Sequence, residues 1–141
     1  MSRRRRSQPE PAPARFLLDR SLGRHIVAGA LRAAGLDVIT LADHYGEQHS
    51  QQVPDERWLV LAGENDWIVL HKDDRIRRRP AELAAIETAR ARVFCITNAN
   101  LTGPQMAARY LANLKRILRA AHRDGPYIYG VYEQTITRLW P

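Results

Sequence analysis

Residues 67–80 read WIVLHKDDRIRRRP, and their character changes halfway along. An apolar run ends at Leu70. Two carboxylates follow at Asp73 and Asp74, and then four arginines, Arg75, Arg77, Arg78 and Arg79. The run 67–70 reads as a short buried strand that carries a pair of acids to its tip. Working outward, the same punctuation recurs. Residues 16–18 (FLL) form an apolar strand, and Ser21 caps a helix whose apolar face is Leu22, Ile26, Val27, Ala30 and Leu31, ending at Gly35. Residues 38–41 form a second strand, and a polar loop, ADHYGEQHSQQ, leads to Pro54, which starts a helix running to Glu64. A helix over 80–89 and a fourth strand over 93–96 follow. Thr102 and Pro104 open the longest helix, with Met106, Tyr110, Leu114, Ile117, Leu118 and Ala121 on one side. Short apolar strands separated by helices predict an α/β fold with a mostly parallel sheet covered on both faces. The closing YIYGVYEQTITRLW breaks the rhythm and predicts two strands around Glu133 and Gln134, an antiparallel edge hairpin.

The 141 residues suit one domain, expected over 15–141, and 45% hydrophobic content supports a core without disulfides. The lone Cys95, set in VFCIT, excludes an internal disulfide and reads as a small core residue. No apolar stretch approaches the roughly 18 residues needed to span a bilayer, so a soluble, cytoplasmic protein is expected. The balance is basic, 22 Lys+Arg against 15 Asp+Glu for a net +7. Residues 1–14, MSRRRRSQPEPAPA, read as a disordered tail carrying Arg3 to Arg6. Lys72 and Lys115 are the only lysines, so arginine supplies the excess, and its planar fork suits a polyanionic partner.

In an open α/β sheet, ligands bind outside the carboxyl ends of the strands. Asp19 follows the first strand, Asp73 the third, and Thr97-Asn98 the fourth. Asp55 and Glu56 open a helix whose start faces the same rim. Acids at 19, 55 and 73 therefore have a route to one crevice, where their repulsion would be relieved by a hard cation such as Mg²⁺ or Mn²⁺. The plainer reading makes each acid a helix cap or a partner of a helix dipole.

The segments FLLDRSLGR (16–24), PDERWLVLAGENDWIVLHKDDRIRR (54–78) and VFCITNANLT (93–102) resemble the PIN-like nuclease domain, and in particular the VapC-type toxins of toxin–antitoxin systems. The resemblance spans Arg15 to about Arg123. It implies a three-layer α/β/α sandwich and a metal-dependent endoribonuclease that cuts RNA with Mg²⁺ or Mn²⁺. It further implies a cognate antitoxin and a homodimer. The family's first-strand acid falls on Asp19, its middle acid on Asp55 with Glu56 in reserve, and its third on Asp73 with Asp74 beside it. The fourth position holds Thr97 and Asn98, which bring no charge, and Ser21 stands where many relatives carry a second Asp. Arg75, Arg77, Arg78 and Arg79 then read as a basic rim for RNA phosphates, offsetting the repulsion of an acidic centre.

Several features stand outside this scheme. The mixed Asp43 to His49 segment matches no zinc spacing and reads as a contacting loop. Arg109, Arg116 and Arg123 recur at seven-residue intervals on the long helix, where a solvated face competes with an RNA- or antitoxin-binding stripe. Tyr127, Tyr129 and Tyr132 suit strand packing better than base stacking. Two rivals remain: a degenerate PIN-like module that binds RNA or protein without catalysis, and a phosphoacceptor receiver-like domain. The receiver reading lacks its acid pair after strand one and its lysine after strand five.

Overall fold

Alternation along the strands sorts the core into two layers. In β1 (Arg15–Leu18) Leu17 joins one apolar cluster while Phe16 and Leu18 join the other. In β3 (Ile68–His71) Val69 faces the way Leu17 does, and Ile68 and Leu70 face the opposite way. In β4 (Arg92–Ile96) Val93 and Cys95 oppose Phe94 and Ile96. Side chains alternate with a period of two, so strands that are apolar throughout must be covered on both faces. One cover consists of α1 (Ile26–Ala33), α6 (Gly103–Ala112) and α7 (Leu114–Ala121), seated by Val27, Leu31, Met106, Tyr110 and Ile117. The other consists mainly of α4 (Asp55–Glu64) and α5 (Pro80–Ala89), through Trp58, Leu59, Ala62, Ala85 and Ile86. The result is the expected α/β/α sandwich. This computed structural model describes residues 14–23 and 25–141, and the side chain of Asp74 lies outside the description. The expected tail therefore lies, apart from Ala14, outside the described residues. No described helix is long and apolar enough to cross a membrane.

With β2 (Asp37–Thr40), β5 (Tyr127–Val131) and β6 (Ile136–Trp140) the sheet runs β2-β1-β3-β4-β5-β6. The pairs from β2 through to β5 are parallel, and β6 returns antiparallel along the edge. Its turn closes where Tyr132 N donates to Thr135 O (2.9 Å), over the expected Glu133-Gln134 tip. Leu18 pairs with Leu70 and Leu70 with Phe94, so the carboxyl ends of the central strands finish level. Tyr127 is buried and Tyr129 stacks on Phe94 at 5.5 Å, so both pack rather than offer faces to bases.

The structure corrects several local expectations. Asp19, not Ser21, caps the turn after β1. That turn is a short 3₁₀ segment, Arg20–Leu22, and the helix proper begins only at Ile26. Ile26 itself is 59% exposed, because the buried stripe of α1 runs through Val27, Ala28 and Leu31. The polar stretch after β2 is helical, α2 (Leu41–Tyr45) and α3 (Glu47–Ser50). A capping box between Thr40 and Asp43 starts α2, and Gly46 at φ +88° separates the pair. His44 lies edge-on to Tyr45 and Trp67 there. The long helix is broken at Asn113, whose buried side-chain amide donates to Arg109 O (3.0 Å) and Tyr132 O (2.7 Å). The Arg109, Arg116 and Arg123 series is consequently divided between α6, α7 and the segment beyond.

At Gly63, α4 runs tight against the end of α5. A Cβ there would sit 2.3 Å from the carbonyl oxygen of Ala89, a backbone atom that cannot swing aside. Gly63→Ala in an open helix would gain about 1 kcal/mol. Here the sign reverses, and we expect a loss of about 1–3 kcal/mol, read as a lower midpoint in urea denaturation. A midpoint unchanged or raised would refute the close packing.

Candidate active site

Asp19 leaves the end of β1 beside β3, where its backbone N–H still bonds Leu70 O (3.1 Å). Asp19 is only 3% exposed. Oδ2 is fully used. It accepts from Ser21 N (3.1 Å) and from Ser21 Oγ (2.5 Å), and His71 Nε2 lies 3.3 Å away. Oδ1 is buried and has no hydrogen-bond partner among the described residues. A buried carboxylate oxygen without a partner is costly. Ser21 Oγ also accepts from Lys72 N (3.3 Å), tying the two strand tips together.

His71 is the last residue of β3 and is 2% exposed. Its Nδ1 accepts from Asp73 N (3.0 Å). Tyr110, rising from α6, clamps the main chain behind it: its hydroxyl donates to His71 O (2.7 Å) and accepts from His71 N (3.1 Å). Burial pushes the Tyr110 phenol well above its ordinary pKa, which keeps it a neutral donor.

Asp55 and Asp73 meet arginine instead of each other. Asp55 Oδ1 accepts from Arg20 Nη1 (3.1 Å) and Trp58 Nε1 (3.1 Å). Arg20 is fixed in turn by the carbonyl of Ser50 at 3.0 Å and by that of Val53. Asp73 accepts from Arg75 Nε (3.0 Å) and Arg79 Nη2 (3.3 Å). Arg75's hydrogen bonds hold the Asp73 carboxyl below its usual pKa, against partial burial, so it stays ionised at neutral pH. Arg79 also reaches Glu82 Oε1 (3.4 Å) and lies 4.0 Å from Asp55 Oδ2.

Asp19, Asp55 and Asp73 thus share the carboxyl rim, linked through His71, Trp58 and Arg79. They do not form a ready cage, for no group of three His, Cys, Asp or Glu side chains among the described residues is placed to hold one ion. The four arginines of the expected rim differ in their surroundings. Arg75 and Arg79 are paired with acids, Arg77 is half-buried and Arg78 is exposed. Glu56 is exposed and lines an open groove with His44, Tyr45 and Ala84, away from this network. Thr97 is half-buried, and Asn98 is exposed with its Oδ1 accepting from Asn100 N (2.9 Å). Sequence reasoning missed His71, Tyr110, Arg20 and Glu82. Of these His71 had a readable signal, a polar residue closing a buried strand two places before an acid. The donor set suits a hard divalent cation, since all three acids offer oxygen and Asp19 Oδ1 is uncommitted. Asp55 and Asp73 would have to release Arg79 to join it.

A mostly parallel sandwich with its acids gathered at the carboxyl rim defines a class, and the comparison with known families agrees. The PIN-like domain profile matches residues 14–98, and the chain belongs to that family. This removes the receiver-like alternative. Among curated proteins, the candidate ribonuclease VapC45 of Mycobacterium tuberculosis is 43% identical over 124 residues, covering 88% of this chain and 90% of that protein. No solved structure matches significantly.

Proposed function

We propose that the protein is a Mg²⁺- or Mn²⁺-dependent endoribonuclease, the toxin of a toxin–antitoxin pair, acting on RNA in the cytoplasm as one domain over 15–141. The observation that carries this reading is the uncommitted, buried Oδ1 of Asp19, set in a network that includes Asp73 and Asp55. The ribonuclease name borne by a relative matched along nearly its whole length supports the substrate class. Asp19, Asp73 and Asp55 would hold the ion, which when bound supplies activation of water and neutralisation of charge on the phosphodiester. Ser21 and His71 keep Asp19 in place, and Trp58 and Arg20 keep Asp55. Arg79, once released from the acids, and exposed Arg78 give the RNA phosphates a bidentate partner, with Arg75 and Arg77 adjoining. An antitoxin that blocks this rim and a homodimer belong to the same proposal.

The degenerate binding module remains a second reading, favoured by the pairing of Asp73 with two arginines. Cleavage of single-stranded RNA by purified protein, with Mn²⁺ or Mg²⁺ and with EDTA, separates the two. We expect cleavage that EDTA abolishes. RNA binding without cleavage under any divalent ion would establish the binding module instead.

A further inference from the structure

We propose that His71 is the positioning residue of the carboxylate rim, orienting Asp19 through Nε2 while its Nδ1 fixes the turn that carries Asp73. This rests on the metal-nuclease reading above. Because Nδ1 accepts the Asp73 N–H, the ring proton of neutral His71 resides on Nε2, the nitrogen that lies 3.3 Å from Asp19 Oδ2. That contact, with the two bonds from Ser21, gathers the side-chain partners of Asp19 on Oδ2 and leaves Oδ1 to face an ion. His71 does not act as a general base: it is buried and both ring nitrogens are engaged.

The ring is itself held. Trp58 stacks on it, with centroids 6.1 Å apart and planes inclined by 27°. Cys95 Sγ lies 3.9 Å from Nδ1, and Tyr110 fixes the main chain. Trp58 also donates to Asp55. The stacked pair Trp58–His71 therefore touches the network at all three acids: Asp55 through the indole, Asp19 through Nε2, and the Asp73 backbone through Nδ1. Residues that orient ligands from behind typically carry 10–100-fold in metal affinity or activity.

Two substitutions divide the two bonds. In His71→Asn the side-chain oxygen can still take the Asp73 N–H, as Asn98 takes that of Asn100, but the amide is too short to reach Asp19. In His71→Gln the longer amide reaches Asp19 and gives up the turn. With Mn²⁺ titrated calorimetrically into each folded full-length protein, His71→Asn should bind about 10- to 100-fold more weakly than wild type. His71→Gln should recover most of that loss. Affinity unchanged in His71→Asn, or lowered alike in both variants, overturns the inference. A readout without metal accompanies it. In histidine ring ¹⁵N NMR of the metal-free protein, Nε2 should be protonated and Nδ1 bare, and Asp19→Asn should shift Nε2. The opposite tautomer sinks the positioning role whatever the ion does. The expected tautomer in a wild-type protein that binds no Mn²⁺ would overturn the nuclease reading alone.

Discussion

Asp19→Asn should abolish metal-dependent RNA cleavage while leaving the fold and RNA binding in place. Asn keeps an oxygen that can accept from Ser21 N, so the 3₁₀ turn after β1 survives. What disappears is a buried charge at the rim that has no arginine partner among the described residues. The rate should fall by at least about 10²–10³-fold, the scale on which one preorganised electrostatic contact operates. RNA affinity should hold or rise, since a repulsive carboxylate is gone. Expression of the wild-type chain should slow growth, and the variant should be tolerated. Equal cleavage by the two proteins would reduce Asp19 to a cap, and its place in the mechanism would be lost.

Trp58→Ala carries the largest expected cost in stability. The indole is fully buried in the layer formed by α4 and α5, stacks on His71 and donates to Asp55. Removing it empties the core directly beneath the rim, for a loss of about 3–5 kcal/mol. Trp58→Phe keeps a ring against His71 but leaves Asp55 short of one donor, and should cost only about 1–3 kcal/mol. Urea denaturation of the two variants checks the difference. If Phe proves as damaging as Ala, the indole N–H outweighs the packing. If Ala is tolerated within 1 kcal/mol, Trp58 is no part of the core, and that figure falls far below the range for a buried aromatic ring.

Much of this architecture was legible because a parallel sheet leaves few choices. Apolar runs such as 16–18 and 93–96 must be buried on both sides, and whatever follows them emerges on one rim. That geometry alone brings Asp19, Asp73 and Thr97 to the ends of neighbouring strands, and Pro54 marks where α4 begins. What stayed hidden depends on partners distant in the chain. Nothing in the local pattern says that Arg79 would turn back to Asp73 and across to Asp55, or that Arg20 would hold Asp55 from 35 residues away. The break at Asn113 is of the same kind, since the amphipathic pattern runs straight through it and the Tyr132 carbonyl that stabilises it lies beyond the next strand. The helices over 41–50 escaped for another reason. Their polar composition resembles a loop, although Thr40 and Asp43 stand at capping-box spacing.

Arg79, lodged against Asp73 and Glu82 and near Asp55, means that the rim carries its own counter-charge. A small metallodomain whose carboxylates have no such partner often waits for its ion before it can fold. With Arg79 in place, the acids of this chain are balanced without an ion, so folding is expected not to need one. On the proposed function, an ion held by these acids would take over the charge that Arg79 now balances, and the guanidinium would be freed for phosphate.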